Sequence, residues 1–343
     1  MLRSLYSGIT GMRVNQTKLD VIGDNLANVS TTAFKSSRVT FSTTISQTLT
    51  NASAASDNLG GVNGQQVGLG AQIASIDKIM SQGSMQSTSR ALDMAIDGTG
   101  YFVVAAGEPL TGNGDSVSIV DNGLGDITTD TSIAYTRDGA FTLDDQGNLL
   151  TSNGYRVLGY AAVTLNDDGT VKSTNIDENG NVYYVESNSS TAIKDDELVS
   201  LKIPDSILKE DGKGGFTNVA IKSFGVSSTG LITGVLETGE VTVLGQLAMA
   251  SFKNEAGLSS VGNNMYQNTG SSGTAILSSG NNSTTNRESK GYGDVLQGYL
   301  EMSGVDMTEQ FTEMIVATKA FQAAGKMIST GDEILSEIIN LKR

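Results

Sequence analysis

The residues in this sequence best suited to chemistry are carboxylates beside glycine. Asp144-Asp145-Gln146-Gly147-Asn148 and Asn166-Asp167-Asp168-Gly169 gather oxygen donors near a turn, the ligand type that calcium takes. Neither follows the spacing of an EF-hand loop with its closing Glu. Asp, Asn and Gly are also the residues a hairpin turn needs for its own backbone geometry, so the turn is their expected role. Gly98-Thr99-Gly100 and Gly291-Tyr292-Gly293 are not phosphate loops: the chain holds no Gly-x-x-x-x-Gly-Lys-Ser/Thr, and no Gly-x-Gly-x-x-Gly opens a helix after a strand. There is no His and no Cys, which removes the usual general base, the usual zinc ligands and disulfides together. The Ser-rich stretches therefore have no imidazole to activate a nucleophile. No catalytic, cofactor-binding or metal residue is expected, and the chain does not read as an enzyme. A carbohydrate-active enzyme is the best catalytic rival and would need a cleft with two coupled carboxylates.

The elements around these residues carry more information. The 343 residues allow two or three domains. With 41 Gly, 2 Pro and no Trp, the composition resembles that of small β-domains with many turns. The two ends differ from the middle. Leu5, Met12, Leu19 and Leu26 recur every seven residues, and so do Met314, Phe321, Ile328 and Leu335. Leu2, Leu5, Ile9, Met12, Gln16, Leu19, Gly23 and Leu26 form one helical stripe over 2–28. Phe311, Met314, Thr318, Phe321, Gly325, Ile328, Asp332, Leu335 and Ile339 form another within a helix running from about 305 to 341. In both, the recurring set is large and the alternate set is small or polar, a poor choice for a rigid two-stranded zipper. Gly8, Gly11 and Gly23 each cost the first helix about 1 kcal/mol against Ala, so it should depend on packing. The recurring eight residues are the expected inter-helix and intersubunit contacts.

Charge agrees with pairing of the ends. Residues 1–40 hold five basic and two acidic side chains, net +3, and residues 301–343 hold four and seven, net −3. The middle therefore carries the whole −15, which argues against nucleic-acid binding. No run of 18 apolar residues occurs, so no membrane insertion is expected. Residues 1–30 lack the pattern of a signal peptide, because Arg13, Asn15, Gln16 and Lys18 interrupt any apolar run.

The expected fold is α+β and multidomain, with paired long N- and C-terminal helices and a β-rich middle. Residues 1–30 with 305–343 form the helical domain. Residues 31–70 with 268–304 form linkers or extended segments, 42–70 being Ser/Thr/Asn/Gly-rich with little core. Residues 71–160 with 221–267 form the β-rich domain, with strands at 72–77, 92–97, 101–104, 135–143, 149–160, 221–225, 231–236, 240–244 and 246–252. Residues 161–220, acidic and irregular, form a small β insertion or outer domain.

Several blocks resemble one family. Leu19-Asp20-Val21-Ile22-Gly23-Asp24-Asn25-Leu26-Ala27-Asn28-Val29-Ser30-Thr31-Thr32-Ala33-Phe34-Lys35 looks like the N-terminal signature of bacterial flagellar rod and hook proteins, with Asn25, Asn28, Phe34 and Lys35 as motif residues. Val67-Gly68-Leu69-Gly70, Gln82–Thr88, Leu92–Phe102, Thr136-Arg137-Asp138-Gly139-Ala140-Phe141, Asn153–Gly159 and Gly298–Asp306 resemble the later blocks, in family order. Ser36–Ser42, Ser46–Leu49 and the ending from Glu333 look hook-like rather than distal-rod-like. The short 161–220 insertion departs from larger hook proteins. The resemblance implies a homopolymeric tube, with terminal helices around a channel and β-domains outside. It implies a flexible universal joint passing torque from rod to filament for motility, extracellular and continuous with the basal body. It implies export through the flagellar type III apparatus, and contacts with the distal rod protein, the hook cap and the hook–filament junction proteins. A rod subunit is the alternative, and an adhesin would leave the terminal stripes unexplained.

Overall fold

The computed structural model describes residues 2–54, 60–110, 117–120, 123–127, 131–165, 171–176, 181–187, 191–193, 197–210, 215–278 and 293–341. The acidic stretches at 166–169 and 177–180 and the glycine pair at 291–293 lie wholly or mostly outside them. The chain divides into a terminal unit, Met1–Ser81 with Ser303–Arg343, and a middle unit, Gln82–Met302. Residues 71–81, expected in the β-rich domain, group with the terminal unit, and 268–302, expected as linker, group with the middle one.

The terminal unit holds both α-helices found among the described residues, α1 (Leu2–Ala27) and α2 (Met307–Leu341). Asp306 starts α2: its Oδ1 accepts the backbone N–H groups of Thr308 and Glu309, two of the donors that a first helical turn leaves unpaired. Asn28 finishes α1, its Nδ2 donating to the Asp24 carbonyl. The strand Ser37–Thr43 then pairs antiparallel with Ala71–Lys78, from Ser37 opposite Lys78 to Thr43 opposite Ala71. The 42–70 stretch, expected as a linker with little core, carries a second antiparallel pair, Ser46–Thr50 with Gln65–Gly68. Both of its strands are exposed along their length, so it is a ribbon without a core of its own. No helix among the described residues is long and apolar enough to cross a membrane.

Most described strands of the middle unit join one large antiparallel sheet system. Its main path runs Ser206–Glu210, Phe216–Val226, Leu231–Leu236, Val241–Leu247, Arg156–Tyr160, Tyr101–Ala106, Ser132–Thr136, Met265–Gln267 and Ser259–Gly262. Strand Leu231–Leu236 alternates half-buried and buried positions, as a one-sided sheet requires. Strand Tyr101–Ala106 is buried at five successive positions, and its run of aromatic and β-branched residues suits burial on both faces. Phe102, Phe141, Leu149, Val157, Ile232, Leu244, Leu247 and Met249 belong to one core cluster. Strands Glu197–Ser200 and Ser206–Glu210, within the expected insertion, join this same sheet system. The remaining described strands of the expected insertion, Ala162–Leu165, Val171–Thr174 and Thr191–Ile193, form a three-stranded antiparallel sheet of their own. Two short antiparallel pairs, Met94–Asp97 with Asp294–Gln297 and Met85–Ser87 with Tyr299–Glu301, bring the two ends of the middle unit side by side.

Candidate functional site

Within the terminal unit α1 lies along α2 in antiparallel order. Leu5 meets Gly331, Gly8 meets Ile328 and Ala324, Met12 meets Gly325, Lys18 meets Glu313, and Asn25 meets Gln310. Glycine sets the spacing. A Cβ at Gly8 would sit 3.1 Å from Ile328 Cγ1 and 3.5 Å from the Ala324 carbonyl oxygen, and one at Gly331 would sit 2.9 Å from Leu5 Cδ2. The helices touch through small residues on one side and large ones on the other, which is why α1 carries Gly8 and Gly11 despite their cost to the helix. Gly23 has nothing within 4 Å of its Cβ position, and no contact explains it.

The seven-residue anchors lie near this seam, but their flank differs from the expected one. Leu5, Met12, Leu19, Leu26, Met314, Ile328 and Leu335 are half-buried, and Phe321 is 37% exposed. Of these, Leu5, Met12 and Ile328 meet the opposite helix at the glycines named above. The expected alternate positions Ile9, Gln16 and Gly23 are exposed, while Gly8 and Ile22, one residue earlier, are buried and Asn15 is half-buried. In α2 Ala324 and Gly331 meet α1 and Ala317 is buried; of the expected alternate positions Gly325 meets Met12, while Phe311, Asp332 and Ile339 are exposed. A repeat of seven fixes the anchors but leaves either neighbouring flank open. Close backbone approach at Gly8, Ala324 and Gly331 selects the flank.

The motif residues form a corner where α1 ends. Asn25 is 1% exposed; its Oδ1 accepts the Ser37 N–H, and its Nδ2 donates to the Ser37 carbonyl and to Gln310 Oε1. One side chain thus joins α1, the first strand and α2. Asn28 Oδ1 also accepts the Thr31 hydroxyl. Ala33, buried, takes a left-handed φ of 55°. The Phe34 carbonyl accepts the Gly304 N–H, and buried Lys35 donates from Nζ to the Ser81 carbonyl. Residues 81 and 304 lie where the chain leaves and re-enters this unit, so the motif fixes both crossings. Gly70, at φ 125°, backs onto Thr10 of α1, which accounts for the glycine ending Val67-Gly68-Leu69-Gly70.

Large apolar side chains remain uncovered around this framework. On α2 they include Phe311, Ile315, Val316, Met327, Ile334 and Ile338. On the two strand pairs and the turn joining them they include Phe41, Ile45, Leu49, Val67 and Ile76. The expected charge complementarity between the helix ends contributes one ion pair among the described residues, Lys18 Nζ to Glu313 Oε2 at 3.4 Å. Both side chains are partly exposed, so it is worth tenths of a kcal/mol.

The middle unit holds the polar cluster that the sequence reading passed over. Arg137, 3% exposed, donates to Glu301 Oε2 at 3.1 Å and to the Gly100 carbonyl at 2.8 Å, and also to the Gly98 carbonyl. Glu301 Oε1 accepts the Gly83 N–H at 2.8 Å. The pair therefore ties the paired ends of the unit to the Gly98–Gly100 turn. Its only sequence signal is membership of the Thr136–Phe141 and Gly298–Asp306 blocks.

Asp144 is occupied by its own turn: Oδ1 accepts the Gln146 and Asn148 N–H groups and Oδ2 accepts the Asn148 side-chain amide. Burial pushes its carboxyl up, but these hydrogen bonds outweigh it and hold it below the ordinary value. Among the described residues no group of His, Cys, Asp and Glu has the arrangement of a metal site.

Three family profiles match the chain. Residues 5–35 match one described as flagella basal body rod protein, residues 125–184 the flagellar hook protein FlgE/F/G D1 domain, and residues 296–341 the flagellar basal body rod FlgEFG protein C-terminal region. The flagellar basal-body rod protein FlgG of Bacillus subtilis (strain 168) is 39% identical over 344 residues, covering all of both chains. The corresponding FlgG of Borreliella burgdorferi is 32% identical over 346 residues, again with both chains covered. The flagellar hook protein FlgE of Treponema pallidum (strain Nichols) is 29% identical over 470 residues, also across all of both chains.

Proposed function

Because this chain belongs to the family of bacterial flagellar rod and hook proteins, we propose that it is a structural subunit of the hook. In this reading many copies polymerise into a flexible tube that carries torque from rod to filament for motility. The carrying observation is the terminal unit's uncovered apolar surface. A monomer in water gains nothing from exposing Phe311, Ile315, Val316, Met327 and Ile334 along one helix, whereas a subunit can bury them against its neighbours. The paired helices act as the inner wall, held by a small-residue seam that permits close packing and slight adjustment, as in a loose coiled coil. Export through the flagellar type III apparatus, and contacts with the distal rod protein, the hook cap and the hook–filament junction proteins, follow from the same reading. So does an extracellular position continuous with the basal body.

The hook-like segments Ser36–Ser42 and Ser46–Leu49 and the ending from Glu333 favour this assignment. A second reading, the distal rod, has its own support. The relative at 39% identity is named as a rod protein, and the hook relative's 470-position alignment carries insertions that this chain lacks. Immunogold electron microscopy of isolated hook–basal bodies tests the choice. The hook reading expects label along the curved segment outside the cell; label confined to the straight segment below it would give the rod.

A further inference from the structure

The chain contains the dipeptide Asn-Gly five times, and two copies lie wholly within the described residues in contrasting settings. We propose that Asn63-Gly64 is a site of spontaneous modification, deamidating through a succinimide, and that the fold protects the same dipeptide at Asn153-Gly154. The reaction needs no enzyme or cofactor. The Gly64 backbone nitrogen attacks Asn63 Cγ and forms a new C–N bond. The Cγ–Nδ2 bond breaks, and Nδ2 leaves as ammonia with the proton given up by the glycine nitrogen. Water then opens the succinimide at either carbonyl and leaves Asp or isoaspartate. Glycine must follow the Asn because a Cβ on the attacking residue hinders ring closure, and the attacking N–H must not be held elsewhere.

Both conditions hold at Asn63. The residue and its glycine are exposed, just before strand Gln65–Gly68. The Gly64 N–H donates no backbone hydrogen bond among the described residues. The glycine is also fitted to its place: a Cβ there would press to 3.3 Å from the Ala52 nitrogen and 3.4 Å from the Thr50 carbonyl oxygen. At Asn153 both residues are likewise exposed, yet the Gly154 N–H donates to the Thr151 carbonyl at 2.9 Å and Gly154 is held at φ 81°. That turn takes the nucleophile out of use and fixes the backbone. Conversion at Asn63 puts a new carboxylate on the ribbon beside exposed Val62 and Val67. It is a property of the unassembled chain, independent of where the assembly sits in the flagellum.

Peptide mapping by mass spectrometry tests it. The purified, unassembled chain is incubated at mildly alkaline pH and digested, and Asp plus isoaspartate is followed at both sites. The expected result is conversion several-fold faster at Asn63 than at Asn153, with the gap closing when the incubation is repeated in urea. Asn63→Gln should remove the early acidic species from charge-separated profiles. Equal rates in the folded chain, or an unreactive Asn63, would overturn the proposal. A gap unchanged in urea would assign the difference to flanking sequence and overturn the protective role of the fold.

Discussion

The two units bury their apolar residues to opposite degrees. The middle unit closes on itself: Tyr101, Phe102, Phe141, Leu149, Leu158 and Ile232 are at most 1% exposed. The terminal unit has four buried apolar side chains among its described residues, Val14, Ile22, Ala33 and Ala317, and all but five of the exposed large apolar side chains. One region is finished by its own sequence; in the function proposed above, the other is finished by neighbouring copies. A β-sheet with a filled core suits a domain that must stay folded alone before assembly. A helix pair with apolar faces on both sides suits a component that is completed on assembly.

The contrast can be broken by removing one region's contribution. Deleting residues 311–343 should abolish polymer altogether and leave a β-rich monomer, read by sedimentation and circular dichroism; pelleting filaments from that variant would overturn the division of labour. Phe102→Ala opens a cavity in the middle core and should cost about 3–5 kcal/mol in urea melting of that unit.

The middle unit should also respond to alkali. Tyr266 is pushed up to about 12, by burial first and by the Glu301 charge second, and burial raises the Tyr101 and Tyr135 hydroxyls further. A phenol whose folded pKa exceeds its unfolded value holds its proton longer in the native state. Its stabilising contribution is complete below the unfolded pKa of about 10 and is lost as pH rises toward the folded one. Thermal melts between pH 9 and 12 should therefore show the middle unit weakening above about pH 10. A flat profile there would mean that these hydroxyls are not held as the structure has them.

The smallest effects separate the two faces of α1. Gly8→Val should cost about 1–3 kcal/mol through the contact with Ile328 and Ala324. Gly23→Ala, with nothing nearby, should gain about 1 kcal/mol from helix propensity. Equal effects in thermal melts would put the seam elsewhere.

The strand Leu231–Leu236 and both helices are legible in the sequence because alternation and a seven-residue repeat are local signals. The ribbon at Ser46–Thr50 and Gln65–Gly68 is not, because Ser, Thr, Asn and Gly composition describes an exposed strand and a linker equally well. The seam's flank is undetermined by a single helix, since its choice depends on which glycine meets Ala324. The Arg137–Glu301 pair spans 164 residues of chain, beyond any spacing argument. Periodicity supplied the stripes, of which Leu5, Met12 and Ile328 meet the opposite helix; what it lacked was the partner surface.

The central claim is that the outward apolar face of α2 is an intersubunit surface, distinct from its seam with α1. Ile315, 62% exposed, lies on that face. The most direct test is sedimentation of Ile315→Asp under polymerising conditions, with a thermal melt of the same variant. The account predicts a monomer with an unchanged melting curve and no pelletable tube. Normal polymer from a normally folded Ile315→Asp chain would contradict it.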